Sequence, residues 1–285
     1  MLVNLRDILA DAKQKKYAVF ATNAFNFDSA EVIIDAAEEK KSPVILMVAK
    51  PLFKYFNFKF LMGPIISMSK EASVPVCVNL DHGDDLGVIM KCIDAGVSSV
   101  MFDGSSLPLN ENIKTTKEIT EIAHSRGISV EGEVGMIGGM EGAVKINDTE
   151  IMKKYFTTTK DAEKYVKETN VDALAIAVGT VHGVFTSKPD IDFERITNIR
   201  KQIETPLVLH GCSGLSDDDF KKVIQNGITK LNYYTDLVLE ATRKAKEIIN
   251  GEGETNYLEL NRKIMIAIKN MIMRKMDVFG SSGKG

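Results

Sequence analysis

Eight short apolar segments recur along this 285-residue chain, and each precedes a segment whose apolar residues have helical spacing. The predicted strands are Ala18–Phe25, Pro43–Ala49, Val74–Asp81, Ser99–Asp103, Ser129–Gly135, Asp172–Gly179, Pro206–Gly211 and Lys230–Asp236. The predicted helices are Ser29–Lys41, Phe60–Glu71, Asp85–Ala95, Glu111–Arg126, Asp161–Glu168, Asp192–Gln202, Ser216–Asn226 and Leu237–Asn250. Eight alternations in a chain of this length predict a single α/β domain, a closed (β/α)8 TIM barrel over residues 1–285.

Two segments fall outside this alternation. Residues 136–159 form a long insertion after the fifth strand, and loops of that length are usually functional, so we predict a lid loop there. Residues 256–279 predict an extra C-terminal helix, packed on the barrel or on a second subunit, and the tail, residues 280–285, is expected to fray. The alternative architecture is an open doubly wound sheet, but the Gly-x-Gly-x-x-Gly fingerprint that usually follows its first strand is absent.

Composition narrows the class of protein. The chain is 44% hydrophobic and 26% charged with a formal net charge of −3, which is ordinary for a globular protein and offers no basic surface for nucleic acid. No apolar run reaches the roughly 20 residues that span a bilayer, and the N-terminus lacks the plan of a signal peptide. Three cysteines, an odd number, argue against a disulfide framework and predict a cytoplasmic protein.

Three of the four histidines, His82, His182 and His210, lie at or just beyond predicted strand ends. The carboxyl ends of barrel strands share one face, so three imidazoles from distant parts of the chain can converge there. Three histidines with an open fourth position are typical of catalytic zinc. Each histidine taken singly is more often structural, and the fourth, His124, is expected to be a surface residue of a helix.

Carboxylates, like the histidines, lie at the predicted strand ends. Asp81, Asp103, Glu131, Glu133 and Asp236 all occupy predicted strand ends, and Glu131 and Glu133 share one side of their strand. An acidic residue inside a barrel costs several kcal/mol unless it is paired, so packing alone does not explain them. For each carboxylate, a direct catalytic role and a role in orienting a metal-bound histidine remain open.

Glycine-rich turns complete this face of the barrel. Residues 179–183 follow the sixth strand and residues 210–214 follow the seventh. Amide groups there, with Ser213 and Thr235, form a candidate phosphate site.

The motifs together resemble the zinc-dependent class II aldolases of the fructose-bisphosphate and tagatose-bisphosphate type, along nearly the whole chain. They are Ala24-Phe25-Asn26, Leu80-Asp81-His82-Gly83, residues 99–105, Glu131-Gly132-Glu133-Val134-Gly135, residues 179–183, residues 209–214 and Asn232-x-x-Thr235-Asp236. The resemblance implies a lyase of carbohydrate metabolism such as glycolysis, active as a homodimer or homotetramer. It would reversibly cleave a ketose (bis)phosphate to dihydroxyacetone phosphate and an aldehyde such as glyceraldehyde 3-phosphate.

The resemblance also implies roles for individual residues. His82, His182 and His210 would hold Zn²⁺, and Asp103 and Glu133 match residues of a second metal position. Asp81 matches the acid/base at the reacting hydroxyl, and Glu141, in the lid, matches the carboxylate that moves a proton of dihydroxyacetone phosphate. The substrate-binding residues, with a monovalent cation (Na⁺ or K⁺) nearby, would include Asn26, Gly183, Lys188, Gly211, Ser213, Asn232, Tyr234 and Thr235.

Departures from the family pattern concern the substrate. Ala49 stands where the family usually has serine, and Tyr234 stands where fructose-bisphosphate enzymes commonly carry aspartate and tagatose-type enzymes alanine. Lys188 lies later than the usual lysine and is a candidate for reaching a phosphate, and the usual Asp-Pro-Arg segment is missing. A different ketose or a deoxy keto-acid phosphate therefore stays open as substrate.

Two other classes of protein remain as alternatives. An amidohydrolase usually shows His-x-His on its first strand, which has no histidine here. A non-catalytic barrel that binds a sugar phosphate has no need of Asp81 and Glu141 beside a complete set of zinc ligands.

Overall fold

Eight parallel strands close into a barrel in the order of the sequence, which confirms the predicted TIM barrel. The computed structural model describes residues 1–138, 153–183, 185, 189–251 and 255–285. The strands are β1 (Val19–Asn23), β2 (Val44–Ala49), β3 (Val76–Gly83), β4 (Ser99–Phe102), β5 (Ser129–Val134), β6 (Ala173–Ile176), β7 (Leu207–Leu209) and β8 (Ile228–Asn232). Nearly every strand residue is buried, as expected where helices cover the outer face and side chains fill the interior.

Helices surround the barrel. They are α1 (Leu5–Lys15), α2 (Phe27–Lys40), α3 (Phe58–Glu71), α4 (Leu86–Asp94), α5 (Leu109–His124), α6 (Thr159–Thr169), α7 (Phe193–Gln202), α8 (Asp217–Gln225), α9 (Thr235–Ile249) and α10 (Tyr257–Phe279). Short 3₁₀ segments cover Lys50–Lys54 and Lys153–Tyr155. None of the helices in the described ranges combines the length and the apolar character that a membrane span needs.

The core has two layers. The larger cluster lies between the strands and the surrounding helices. The smaller one fills the barrel interior with Val19, Ile45, Cys77 and neighbouring side chains, and α1 packs onto it through Leu5 and Leu9. This helix, which the strand–helix alternation did not predict, therefore closes the N-terminal end of the barrel.

Helix α10 confirms the predicted extra C-terminal helix, and it packs against α2, α9 and β1. Its buried face includes Ile268, Ile272 and Met276. The expectation that the tail frays is wrong. Gly283 donates its backbone N–H to Lys40 O at 2.9 Å, and Ser281, which is fully buried, has its hydroxyl 2.8 Å from that of Ser42. These bonds fasten the tail to the end of α2.

The predicted lid falls mostly outside the described residues, because only 136–138 and 153–159 of it are described. Its two ends lie side by side, since the Met136 backbone N–H donates to Tyr155 O at 3.1 Å. The insertion therefore leaves and rejoins the barrel at one place, beside the end of β5.

Candidate active site

Three histidines converge at the carboxyl ends of the strands. His82 is the last residue but one of β3, His182 lies beyond β6, and His210 directly follows β7. The Nε2 atom of His82 is 3.2 Å from Nε2 of His182 and 3.1 Å from Nδ1 of His210. The sequence-predicted trio is thus brought together, with one nitrogen of each ring turned toward a common point.

The backbone at His82 explains how it shares this face with Asp81. Residues next to each other on a strand normally point to opposite sides. His82, however, has a φ of 49°, and the pairing of β3 with β4 shifts register between Leu80 and Gly83. This bulge and the left-handed conformation, which a residue other than glycine adopts at a cost, turn both side chains toward the barrel mouth.

Asp103 and Ser105 hold the other side of the His82 ring. Nδ1 of His82 is 2.7 Å from Oδ2 of Asp103, and Oδ1 of Asp103 accepts hydrogen bonds from the Ser105 hydroxyl and backbone N–H. Burial by itself raises the pKa of Asp103, but the bonds to His82 and Ser105 outweigh it and hold the pKa below its usual range. Asp103 therefore stays ionised and fixes the ring that presents Nε2 to the site.

A buried chain of three side chains orients His210. Nε2 of His210 is 2.9 Å from Oε1 of Glu131, and Oε2 of Glu131 accepts from Lys230 Nζ at 2.5 Å. All three side chains are fully buried. Burial raises the pKa of Glu131, but the charge of Lys230 and the bond to His210 bring it down to about 2. The ionised Glu131 leaves Nδ1 as the nitrogen of His210 that faces the other histidines.

Asp81 lies beside the histidines and is held by two amides. Asn23 Nδ2 donates to its Oδ2 at 2.8 Å, and Asn232 Nδ2 donates to its Oδ1 at 3.2 Å. Burial raises the pKa of this carboxyl, but the charges of His82 and Lys230 outweigh it and hold the pKa below its usual range. Asn23, which sequence reasoning missed, shares the inward parity of Val19 and Ala21 on β1.

Glu133 is buried on the same side of β5 as Glu131. Its pKa is raised well above the usual value by burial and by the charge of Asp103. Within the described part of the chain its Oε2 has no hydrogen-bond partner. Glu133, Asp103 and His82 form a second set of possible ligand atoms within 4.8 Å of one another, so the residues predicted for a second metal position lie next to the three histidines.

The histidine nitrogens fit a zinc ion. Burial lowers the pKa of His182 well below its usual value, and burial also lowers that of His210. Both rings are thereby kept neutral, as metal ligands must be. Nitrogens that bind zinc at about 2.0–2.1 Å in a tetrahedron lie about 3.3 Å apart, close to the 3.2 and 3.1 Å that separate His82 Nε2 from the nitrogens of His182 and His210.

The glycine-rich turns have a structural explanation at Gly211. Its φ is +65°, and a Cβ there would lie 2.4 Å from Val181 O, so only glycine lets the end of β7 approach the segment that carries His182. Ser213 is buried, and its hydroxyl accepts from the Asp236 backbone N–H at 3.2 Å. The Asp236 carboxylate in turn accepts from the Gly214 N–H at 2.8 Å. Gly183 ends the first of these turns and Thr235 begins α9, and both residues are buried.

The remaining predicted site residues divide into two groups. Asn26 caps α2, because its side-chain oxygen accepts from the Ser29 N–H at 2.8 Å, and Tyr234 packs against Ala49 in an apolar cluster. Glu141 and Lys188 lie outside the described residues, so their predicted roles stay predictions.

Comparison with known proteins identifies the family to which this chain belongs. The family model for class II fructose-bisphosphate aldolase matches residues 3–284. The Uncharacterized protein YdjI of Escherichia coli (strain K12) is 36% identical over 284 residues, which cover 100% of this chain and 99% of that protein.

Solved structures of three proteins are also similar to this chain. The X-ray crystal structure of the YdjI aldolase from Escherichia coli K12 superposes with a TM-score of 0.89 at 36% identity, covering 100% of this chain and 99% of that one. A proposed fructose-1,6-biphosphate aldolase from Coccidioides immitis gives 0.88 at 28% identity, covering 99% and 97%. Fructose-bisphosphate aldolase from Campylobacter jejuni gives 0.79 at 21% identity, covering 100% and 97%, and shares the fold.

Proposed function

Because this chain belongs to the class II fructose-bisphosphate aldolase family, we propose that it reversibly cleaves a ketose phosphate to dihydroxyacetone phosphate and an aldehyde. One observation carries the proposal. A carboxylate held by two amides, Asp81, lies directly beside three imidazoles that converge on one point. Carbon–carbon cleavage needs an electrophile and a base side by side, and this arrangement provides the positions for both.

The proposed metal is zinc, held by His82, His182 and His210. When bound, the ion supplies positive charge that offsets the negative charge developing on the substrate during cleavage. The protein contributes the fixed orientation of the rings, since Asp103 and Glu131 each take up the ring nitrogen that faces away from the site. Asp103 and Glu133 also define the proposed second position for the ion.

Asp81 is proposed as the acid/base at the hydroxyl of the carbon that becomes the aldehyde. Its lowered pKa keeps it ionised, so it accepts the hydroxyl proton in cleavage and returns that proton in condensation. Asn23 and Asn232 hold the carboxylate in place, and its complete burial keeps bulk water from competing for the proton.

The other predicted residues enter as proposals. Gly183, Gly211, Ser213, Asn232 and Thr235 would hold the dihydroxyacetone-phosphate end of the substrate with a monovalent cation nearby, and Lys188 would reach a phosphate. Glu141 would move a proton of dihydroxyacetone phosphate. A homodimer or homotetramer and a place in glycolysis remain predictions of the same resemblance, and a cytoplasmic location remains a prediction from the cysteines.

The test is cleavage of a panel of ketose mono- and bisphosphates with and without added zinc. A chelator is expected to abolish cleavage and zinc to restore it. Borohydride with substrate is expected to leave activity intact, because no lysine forms a Schiff base in this mechanism. Trapping of a substrate carbon on a lysine by borohydride would contradict the proposal.

A further inference from the structure

An apolar wall borders the barrel mouth beside Asp81. Ala49 has the inward parity of Ile45 and Met47 on β2, and it is the register partner of Asp81 on β3. Its methyl group therefore lies next to the proposed acid/base carboxylate, on the side away from β4.

The ring of Tyr234 covers this methyl group. Ala49, Leu52 and Tyr234 form one cluster and are 2%, 8% and 6% exposed. The rings of Phe25 and Tyr234 are 6.5 Å apart between centroids, and Phe56 and Val238 pack on the outside. The small side chain at position 49 is what leaves room for so large a residue at position 234.

Tyr234 is fixed by the chain around it. Two residues earlier, Asn232 bonds to Asp81, and one residue later α9 begins. The Leu237 backbone N–H donates to Tyr234 O at 2.9 Å, so the first turn of the helix holds its backbone in place. The wall, defined as Ala49, Leu52 and Tyr234, is therefore a fixed apolar boundary beside Asp81.

The lysine next to the wall in sequence is already paired with two carboxylates. Lys50 directly follows Ala49, but its ammonium group binds Asp84 at 2.6 Å and Asp85 at 2.8 Å. Among the described residues, the wall itself carries no cationic side chain. Moving a phosphate dianion against hydrocarbon and aromatic surface without a positive partner costs several kcal/mol.

We propose that Tyr234 and Ala49 make this enzyme select an uncharged, short aldehyde, such as glyceraldehyde or lactaldehyde, over a phosphorylated one. The inference rests on the proposed function, because the group that protonates the aldehyde oxygen must contact the aldehyde half of the substrate. That half then lies beside Asp81 and borders the wall. The preferred substrate is thus a ketose with a single phosphate, on the dihydroxyacetone end.

The experiment uses the zinc-loaded protein in two assays. Proton exchange of dihydroxyacetone phosphate in D₂O, followed by NMR without any aldehyde, reports the proposed function alone. Condensation with D-glyceraldehyde and with glyceraldehyde 3-phosphate reports the inference, and we expect kcat/KM to favour the uncharged aldehyde by at least about tenfold, the size of discrimination that a pocket contact of 1–3 kcal/mol provides.

The outcomes separate the two claims. Exchange together with equal or better use of glyceraldehyde 3-phosphate overturns the inference and leaves the proposed function standing. Absence of both exchange and condensation overturns the proposed function and the inference with it.

Variants locate the cause of the preference. Tyr234→Ala removes the ring and is expected to reduce the preference at least about fivefold, whereas Tyr234→Phe keeps the ring and is expected to retain it. Circular dichroism of each variant checks the fold. If Tyr234→Ala does not fold, Ala49→Ser, which adds one hydroxyl to the wall, is expected to shift the ratio toward the phosphorylated aldehyde. An unchanged ratio in the folded variants would overturn the role of the wall.

Discussion

Four fully buried polar side chains meet inside the barrel: Asp81, Glu131, His210 and Lys230. A buried charge is costly unless it is paired, and replacing a buried pair by apolar residues is often neutral or stabilising. Their presence inside the barrel therefore indicates a task other than stability. The hydrogen bonds connect Lys230 to Glu131 and Glu131 to His210, so the task is the orientation of a proposed metal ligand.

The first prediction concerns Asp81. Asp81→Asn keeps the shape of the side chain but removes the base, and cleavage activity is expected to fall by about 10²–10⁴-fold, the usual contribution of general acid–base catalysis. Zinc content, measured by atomic emission, is expected to stay near that of the parent protein, because Asp81 is not among the proposed ligands. Undiminished turnover would refute its role.

The second prediction concerns Lys230. Lys230→Met leaves Glu131 buried without its ion-pair partner and is expected to lower the free energy of unfolding by about 3–5 kcal/mol in urea denaturation. Arg262→Met, which breaks an exposed pair with Glu259, is the matched control and is expected to change nothing measurable.

Adding Glu131→Gln to Lys230→Met removes the unpaired charge as well. The double variant is expected to regain most of the lost stability and yet bind zinc about 10–100-fold more weakly in a competition titration, because His210 has lost its charged partner. Parent-like zinc affinity in the double variant would show that the pair is structural only.

At the scale of single elements, α1 is the part of the fold that has no counterpart in the strand–helix alternation. Its buried face, Leu5, Ile8, Leu9 and Ala12, packs across the interior end of the barrel. Leu9→Ala is expected to destabilise the protein by about 2–5 kcal/mol, whereas Leu258→Ala, at an exposed position of α10, is expected to stay within about 0.5 kcal/mol. Urea denaturation measures both, and equal effects would mean that α1 is not part of the cooperative core.

The strands, helix α1 and the buried site residues show what a sequence can and cannot predict. The strands were predictable because parallel strands buried on both faces are continuous apolar runs. Helix α1 has an apolar stripe too, but its partner surface exists only after the barrel has closed. Lys230 and Glu131 lie 99 residues apart, so neither residue alone indicated their pairing. The left-handed backbone of His82 is likewise set by the strand register rather than by local sequence.

At the scale of the whole molecule, the three histidines join parts of the chain that are far apart, since His82 and His210 are separated by 128 residues. A ligand that binds only the folded state stabilises it by mass action, by about 2.7 kcal/mol when its free concentration is one hundred times Kd. Removal of the metal with a chelator is therefore expected to lower the free energy of unfolding, and re-addition of zinc is expected to restore it in proportion to the logarithm of the zinc concentration.

His210→Ala is the control, because it removes one ligand and should abolish this dependence on zinc. Thermal and urea unfolding at several fixed zinc concentrations measure the effect, and a parent protein whose stability does not respond to zinc would contradict a metal site formed by these three histidines.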